Sequence, residues 1–281
     1  KQLPTAELYI CLHGSEVLRW RSPSLTRLWA LASMRAAKKI LTVSEPIAEL
    51  CRQSFPQFAD KVQAVNNALP DTIRTACLRT QSVESAAKHS TPSIERNPTL
   101  HLLSVGRIHP RKGFHHVLEA LSRLNPNKRA RIHYTIAGAT GKHRNYLTKL
   151  KNTAAHHDIQ LELQLDCTPE ALHACYQKAE LFALTSIRYR NSIEGFGLVY
   201  LEAAAHGLPA IAYDHGGVRA AIRDGETGWL IPAGDTQRLA SKIAELTDQP
   251  ASVRRMGQEA YKQALQRTWS DVVTESLSQL P

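Results

Sequence analysis

Residues 100–124 read LHLLSVGRIHPRKGFHHVLEALSRL, and the order of their patterns decides the fold. Leu100–Val105 is a short, nearly continuous apolar run, as expected of a strand buried on both faces. Gly106 to Gly113 is a basic loop bounded by glycines. Gly113–Leu124 then sets Phe114, Val117, Leu118 and Leu121 at helical spacing. A second apolar run, Ile132–Ala137, follows. Strand, helix and strand in this succession need a crossover, which makes the sheet parallel.

The alternation continues towards the C-terminus. Helix Tyr146–His156 leads to strand Leu161–Leu165, and helix Pro169–Lys178, with Thr168 as its cap, leads to strand Leu181–Leu184. Helix Leu198–His206, strand Ala210–Tyr213, a short helix near Val218–Arg223, strand Trp229–Ile231 and helix Thr236–Leu246 complete the unit. An amphipathic helix, Val253–Arg267, forms a tail, with Trp269 beyond it. Upstream, strand Glu7–Leu12, helix Ser24–Lys39 and strand Ile40–Val43 repeat the pattern. Ser44 and Pro46 offer an N-cap and an early-turn proline for a helix to about Gln53, and strand Lys61–Val65 closes at Asn66–Pro70. Asp71–Pro98 is rich in Ser, Thr and Ala and reads as a linker, with a short helix near Val83–Lys88. The expected architecture is α/β, with two doubly wound units: residues 1–70, the linker 71–98, residues 99–250 and a helical tail 251–281.

Composition narrows the function. The 281 residues are 43% hydrophobic and 21% charged, ordinary for a globular chain. No run approaches the ~18 apolar residues of a membrane-spanning helix. The five cysteines are scattered with no C-x-x-C pair, which argues against a disulfide framework or zinc site and for a reducing cytoplasm. The histidine doublets His115–His116 and His156–His157 read as solvated helix faces. The net charge of +10 is split evenly between residues 1–98 and 99–281. Such an excess suits an anionic ligand or an acidic membrane surface; no nucleic-acid-binding signature accompanies it.

Two clusters carry chemistry. Within Ser104–Gly113, Gly106 allows a tight exit from the sheet, and Arg107 and Lys112 can converge on the strand-end crevice to hold a diphosphate. A solvated basic loop is the plainer alternative. In the second, Ser192-Ile193-Glu194-Gly195-Phe196-Gly197-Leu198, the two glycines strip side chains from a helix entry. That leaves the Phe196–Leu198 amides free for an anion. Glu194 precedes this end and Glu202 lies just over one turn inside. Carboxylates beside phosphate need hydroxyl partners, which points to sugar and ribose diols. Against this stands the reading of Glu194 as a first-turn acid and Glu202 as a surface carboxylate.

Glu194 and Glu202 resemble the E-x7-E signature of family 4 retaining glycosyltransferases, and Arg107 and Lys112 the family's G-R-x4-K-G motif. Ala212–Gly217 and Asp224-Gly225-Glu226-Thr227-Gly228-Trp229-Leu230 are similar to its later GG and D-G-x-T-G segments. The likeness covers Leu100–Leu265 in order. His13-Gly14-Ser15-Glu16-Val17 is similar to the H-G-x-E-V segment of phosphatidylinositol mannosyltransferase-like members. The resemblance implies a GT-B fold of two Rossmann-like domains facing a cleft, and a nucleotide-diphosphate sugar as donor, with GDP-mannose suggested by the last segment. It implies that Glu202 binds the ribose, that Arg107, Lys112 and the Phe196–Leu198 amides hold the diphosphate beside Gly106, Gly195 and Gly197, and that Glu194 meets the sugar. His13 is implied to reach across from the first domain. It further implies a hexose transferred to a glycan or lipid-linked acceptor, no cofactor, no metal, and a place at the cytoplasmic face of a membrane.

About 100 further residues would open the first domain of such a protein, and this chain starts at Lys1 without an initiator Met. It is therefore expected to be a piece of a longer product that binds nucleotide without transferring sugar. Two other functions fit the fold: a sugar-nucleotide epimerase, which needs acid–base groups at C2 and no acceptor, and a non-catalytic sugar-nucleotide-binding module. Labelled donor separates the three by yielding transfer, epimer or binding alone.

Overall fold

The computed structural model describes residues 7–78 and 99–278. In it β1 (Tyr9–Leu12), β2 (Lys39–Thr42) and β3 (Val62–Ala64) form one sheet in the order β1-β2-β3. The second sheet holds β4 (Leu100–Val105), β5 (Ile132–Gly138), β6 (Gln160–Leu165), β7 (Leu181–Leu184), β8 (Ala210–Asp214) and β9 (Gly228–Pro232), ordered β6-β5-β4-β7-β8-β9. Every pairing is parallel, with Leu100 opposite Ile132 and Leu102 opposite Leu181. The strand order runs outward from β4 in one direction and from β7 in the other. That reversal opens a crevice at the carboxyl ends of β4 and β7, where ligands of doubly wound sheets bind.

The apolar runs become strands because helices cover both faces. Leu103, Phe182, Ala183 and Ile211 are fully buried. Helix Phe114–Ser122 turns Phe114, Val117, Leu118 and Leu121 inward, each worth roughly 1.5–3 kcal/mol when removed from water. Polar side chains on the core strands are partly paired: Ser104 Oγ lies 2.8 Å from Tyr134 Oη and donates to the Ala183 carbonyl, and Tyr200 Oη donates to the Leu184 carbonyl at 2.8 Å, whereas the buried Tyr213 Oη has no partner among the described residues.

Several expectations need correction. Residues 71–78, expected in the linker, are helical, and Cys77 is buried against the second sheet's helices. The helix expected near Val83–Lys88 lies outside the described residues. His115 and His116 are half-buried, not solvated. His115 Nδ1 sits 2.8 Å from Tyr146 Oη, and burial pushes its pKa down to about 4. Helix Leu25–Ala36 stops earlier than expected because Ala37 turns extended to enter β2.

The tail is two helices that serve different sheets. Pro250–Gln266 packs on helix Leu198–Ala205, with Gly257 against the Gly207 carbonyl. Trp269–Leu277 turns back to the first sheet, where Val272 and Trp269 join Val65, Ala68 and Leu41. Arg267 Nε donates to the Asn66 carbonyl at 3.0 Å at the crossing.

Candidate functional site

The loops after β4 and β7 wall the crevice. In the first, Pro110–Lys112 is a 3-10 turn capped by His109, whose Nδ1 accepts from the Arg111 amide at 3.0 Å. Burial, then the neighbouring His143, Arg111, Arg107 and Lys112, lowers the His109 pKa, which keeps that nitrogen an acceptor. The turn carries Arg111 and Lys112 side by side, and the Lys112 stem lies along Gly106, whose missing Cβ would stand 3.3 Å from Cε. Arg107 is instead exposed at the rim beside Gly141, with no ion pair among the described residues. The expected partners Arg107 and Lys112 do not converge here; the structure brings Lys112 together with Arg111, which the sequence analysis does not single out. Two adjacent cations in a tight turn were the available signal.

Both cations meet Glu194, which is 8% exposed. Its Oε2 accepts from Lys112 Nζ at 2.7 Å, Arg111 Nη1 at 2.9 Å and Ser186 Oγ at 2.9 Å. Oε1 takes no hydrogen bond within the described residues. Burial alone would raise this carboxyl. The charges and hydrogen bonds of Lys112, Arg111 and Ser186 outweigh it and bring the pKa from 4.5 to about 2. Glu194 is therefore an ionised acceptor with one committed oxygen, and not a first-turn surface acid.

Beyond Glu194 the backbone is held by contacts that only glycine allows. A Cβ on Gly195 would stand 1.9 Å from the His13 carbonyl oxygen, and one on Gly217 1.7 Å from the Gly195 oxygen. His13, Gly195 and Gly217 thus stack main chain on main chain, joining the end of β1 to the loops after β7 and β8. Ser44 seals the stack. It stands at a helix N-cap without capping, because its hydroxyl donates to the Gly195 carbonyl at 2.6 Å. Ser15 Oγ lies 3.2 Å from Ser192 Oγ across the same seam. The His13 side chain is exposed at the end of β1. Gly197, at φ 86°, begins helix Leu198–Ala205. The Phe196 and Gly197 amides donate to no protein group within the described residues, leaving a helix N-terminus open to an anion.

Glu202, on this helix, is part-buried, and Tyr176 Oη donates to its Oε2 at 3.0 Å. Burial raises its pKa, while the Tyr176 hydrogen bond and the Lys112 charge pull the other way. Lys112 therefore acts on both carboxylates. A separate cavity of about 870 Å³ lies at the opposite end of the second sheet, near Leu100, Glu180 and Leu208, away from this crevice. Among the described residues, no three His, Cys, Asp or Glu side chains are grouped to hold a metal ion, and no helix is long and apolar enough to cross a membrane.

Comparison with known proteins agrees with the topology. The chain is 34% identical over 177 residues to a D-inositol 3-phosphate glycosyltransferase of Corynebacterium efficiens, covering 61% of this chain and 40% of that protein. It is 40% identical over 104 residues to the putative glycosyltransferase EpsD of Bacillus subtilis, covering 37% and 26%. The chain thus spans less than half the length of these curated relatives. Among solved structures, Anabaena Alr3699/HepE in complex with UDP and glucose superposes with a TM-score of 0.71 at 21% identity, over 98% of this chain and 72% of that one. Sucrose-phosphate synthase from Thermosynechococcus elongatus gives 0.71 at 21%, over 96% and 66%. These likenesses show the GT-B fold, two Rossmann-like sheets. The family model described as glycosyl transferases group 1 matches residues 88–263, and on that match the chain belongs to this family.

Proposed function

We propose that this chain carries the donor site of a metal-independent, retaining glycosyltransferase of family 4, whose whole protein moves a hexose from a nucleotide-diphosphate sugar to a glycan or lipid-linked acceptor. The observation that carries the reading is the meeting of Lys112, Arg111 and Glu194 in the crevice between β4 and β7, beside an open helix N-terminus. Lys112, Arg111 and Arg107, with the Phe196–Leu198 amides, take the diphosphate oxygens. Glu202 accepts from the ribose hydroxyls, and Glu194 Oε1 from hydroxyls of the transferred sugar. As the bond from anomeric carbon to diphosphate oxygen breaks, the cations stabilise the charge gathering on the leaving diphosphate. The acceptor hydroxyl oxygen takes its place on the anomeric carbon and gives its proton to the leaving diphosphate oxygen, and His13 faces the sugar from the first sheet. The Anabaena complex with UDP and glucose supports a nucleotide sugar as ligand. The net charge of +10 supports work at the cytoplasmic face of an anionic membrane.

Calorimetry of the 281-residue chain with UDP and GDP tests the donor site. Micromolar binding of either, weakened at least tenfold in Lys112→Ala, is expected; no binding of either would overturn it. Incubating the longer protein with labelled nucleotide sugars tests the reaction. Sugar transfer supports it, whereas an epimerised donor, or binding alone, overturns it.

A further inference from the structure

Glu202 is held from two directions by groups that no motif names. Its carboxylate accepts from Tyr176 Oη at 3.0 Å, and its own main-chain carbonyl accepts from His206 Nδ1 at 2.7 Å. A carbonyl only accepts, so His206 Nδ1 carries the proton and Nε2 is left to accept from His173 Nδ1, 2.8 Å away. The His206 ring in turn lies parallel to the Tyr176 ring, with centroids 4.6 Å apart and planes 13° apart. Tyr176 is 3% exposed and wedged between that imidazole and Phe182. Its hydroxyl therefore has one direction to point, at Glu202 Oε2, and Oε1 keeps no protein partner within the described residues.

We propose that Tyr176, braced by His206, is a positioning residue of the nucleotide site: it holds one oxygen of Glu202 so that the other is presented, ionised, to the ribose hydroxyls. The inference rests on the assignment of Glu202 to the ribose. Burial works against a charged Glu202, and the opposing influences are the Tyr176 hydroxyl and Lys112. Without the hydroxyl, only Lys112 remains to keep the carboxylate ionised, and the side chain is free to rotate away from the diol.

Tyr176→Phe keeps the ring stack and deletes the bond. The experiment compares UDP and GDP with their 2′,3′-dideoxy analogues by calorimetry, on the 281-residue chain, from pH 5 to 8. The wild type is expected to prefer the ribonucleotide. In Tyr176→Phe that preference falls roughly threefold to tenfold, as for loss of one ordinary hydrogen bond that reaches the ligand only through Glu202, and the acid limb of ribonucleotide affinity moves to higher pH. Dideoxy affinity stays unchanged. A merely structural tyrosine would weaken both ligands equally and leave the pH profile in place, and that result overturns the proposal. Glu202→Gln separates the two readings. If it abolishes the preference while Tyr176→Phe retains it, only the role of Tyr176 falls. If Glu202→Gln also retains the preference, the ribose assignment falls and the positioning role with it. Should Tyr176→Phe not fold, Glu202→Asp, which withdraws the charge from Tyr176 by one methylene, is expected to lower the same preference; a preference equal to the wild type's overturns the proposal.

Discussion

One oxygen of Glu194 receives a lysine, an arginine and a serine hydroxyl, so the cations proposed to hold a diphosphate are already engaged by a carboxylate. On that proposal a diphosphate competes with the carboxylate for both. Lys112→Ala and Arg111→Ala are each expected to weaken nucleoside-diphosphate binding by ~1.5–3 kcal/mol, the range for charge-assisted bonds, with nucleoside binding unchanged. Equal losses for nucleoside and diphosphate in calorimetry would contradict this. The same cluster sets a pH dependence. The folded Glu194 pKa, about 2, lies below its ordinary 4.5, so its contribution to stability is complete above pH 4.5 and fades as pH falls towards 2. At about 1.36 kcal/mol per unit this is on the order of 3 kcal/mol. Denaturant unfolding of Glu194→Gln should therefore trail the wild type most above pH 5, with the gap narrowing by pH 3. A gap that holds constant across that range would show that the charge is not what Glu194 contributes.

At the scale of elements, the stack of His13, Gly195 and Gly217 makes the Gly195 loop part of the joint between the two sheets. Gly217→Ala puts a methyl 1.7 Å from the Gly195 oxygen, so one backbone must move. Overpacking of this kind costs about 1–3 kcal/mol, a loss of several degrees in melting temperature for a chain of this size. An unchanged melt with unchanged UDP affinity would mean that the loops part freely. The strands around the site were legible because buried parallel strands are unbroken apolar runs; β4 spans Leu100–Val105 as its pattern implies. What stayed hidden depends on partners distant in sequence. Ser44 has the residue type and place of a cap, but its hydroxyl serves Gly195, 151 positions away. Arg111 outranks Arg107 only because the Pro110–Lys112 turn folds towards Glu194. Tyr176 acts only through Glu202, 26 positions away. Another omission was readable: Thr268 and Asp271 have the spacing of a capping box and form one, so the last helix announced itself in four residues.

Across the whole molecule, the first sheet depends on a helix from the far end of the chain. Its three strands hold four, four and three residues, and sheets this small need a packed helix to persist. Helix Trp269–Leu277 supplies one such face through Val272 and Trp269 against Val65, Ala68 and Leu41. The chain therefore closes on itself: leaving the first sheet after β3, it builds the second and returns. Breaking that return should loosen one sheet and spare the other. Trp269→Ala combined with Val272→Ala removes much of this contact, roughly 2–5 kcal/mol by large-to-small precedent. Amide hydrogen exchange should then accelerate in β1, β2 and β3, while β4, β5, β7 and β8, whose core is built almost wholly from residues 100–264, keep wild-type protection. UDP affinity of the double variant should stay within about threefold of wild type if Lys112, Arg111 and Glu202 carry binding, that margin being under 1 kcal/mol. Faster exchange in both sheets together would show that the two fold as one cooperative unit. No acceleration in either would show that the returning helix is a passenger.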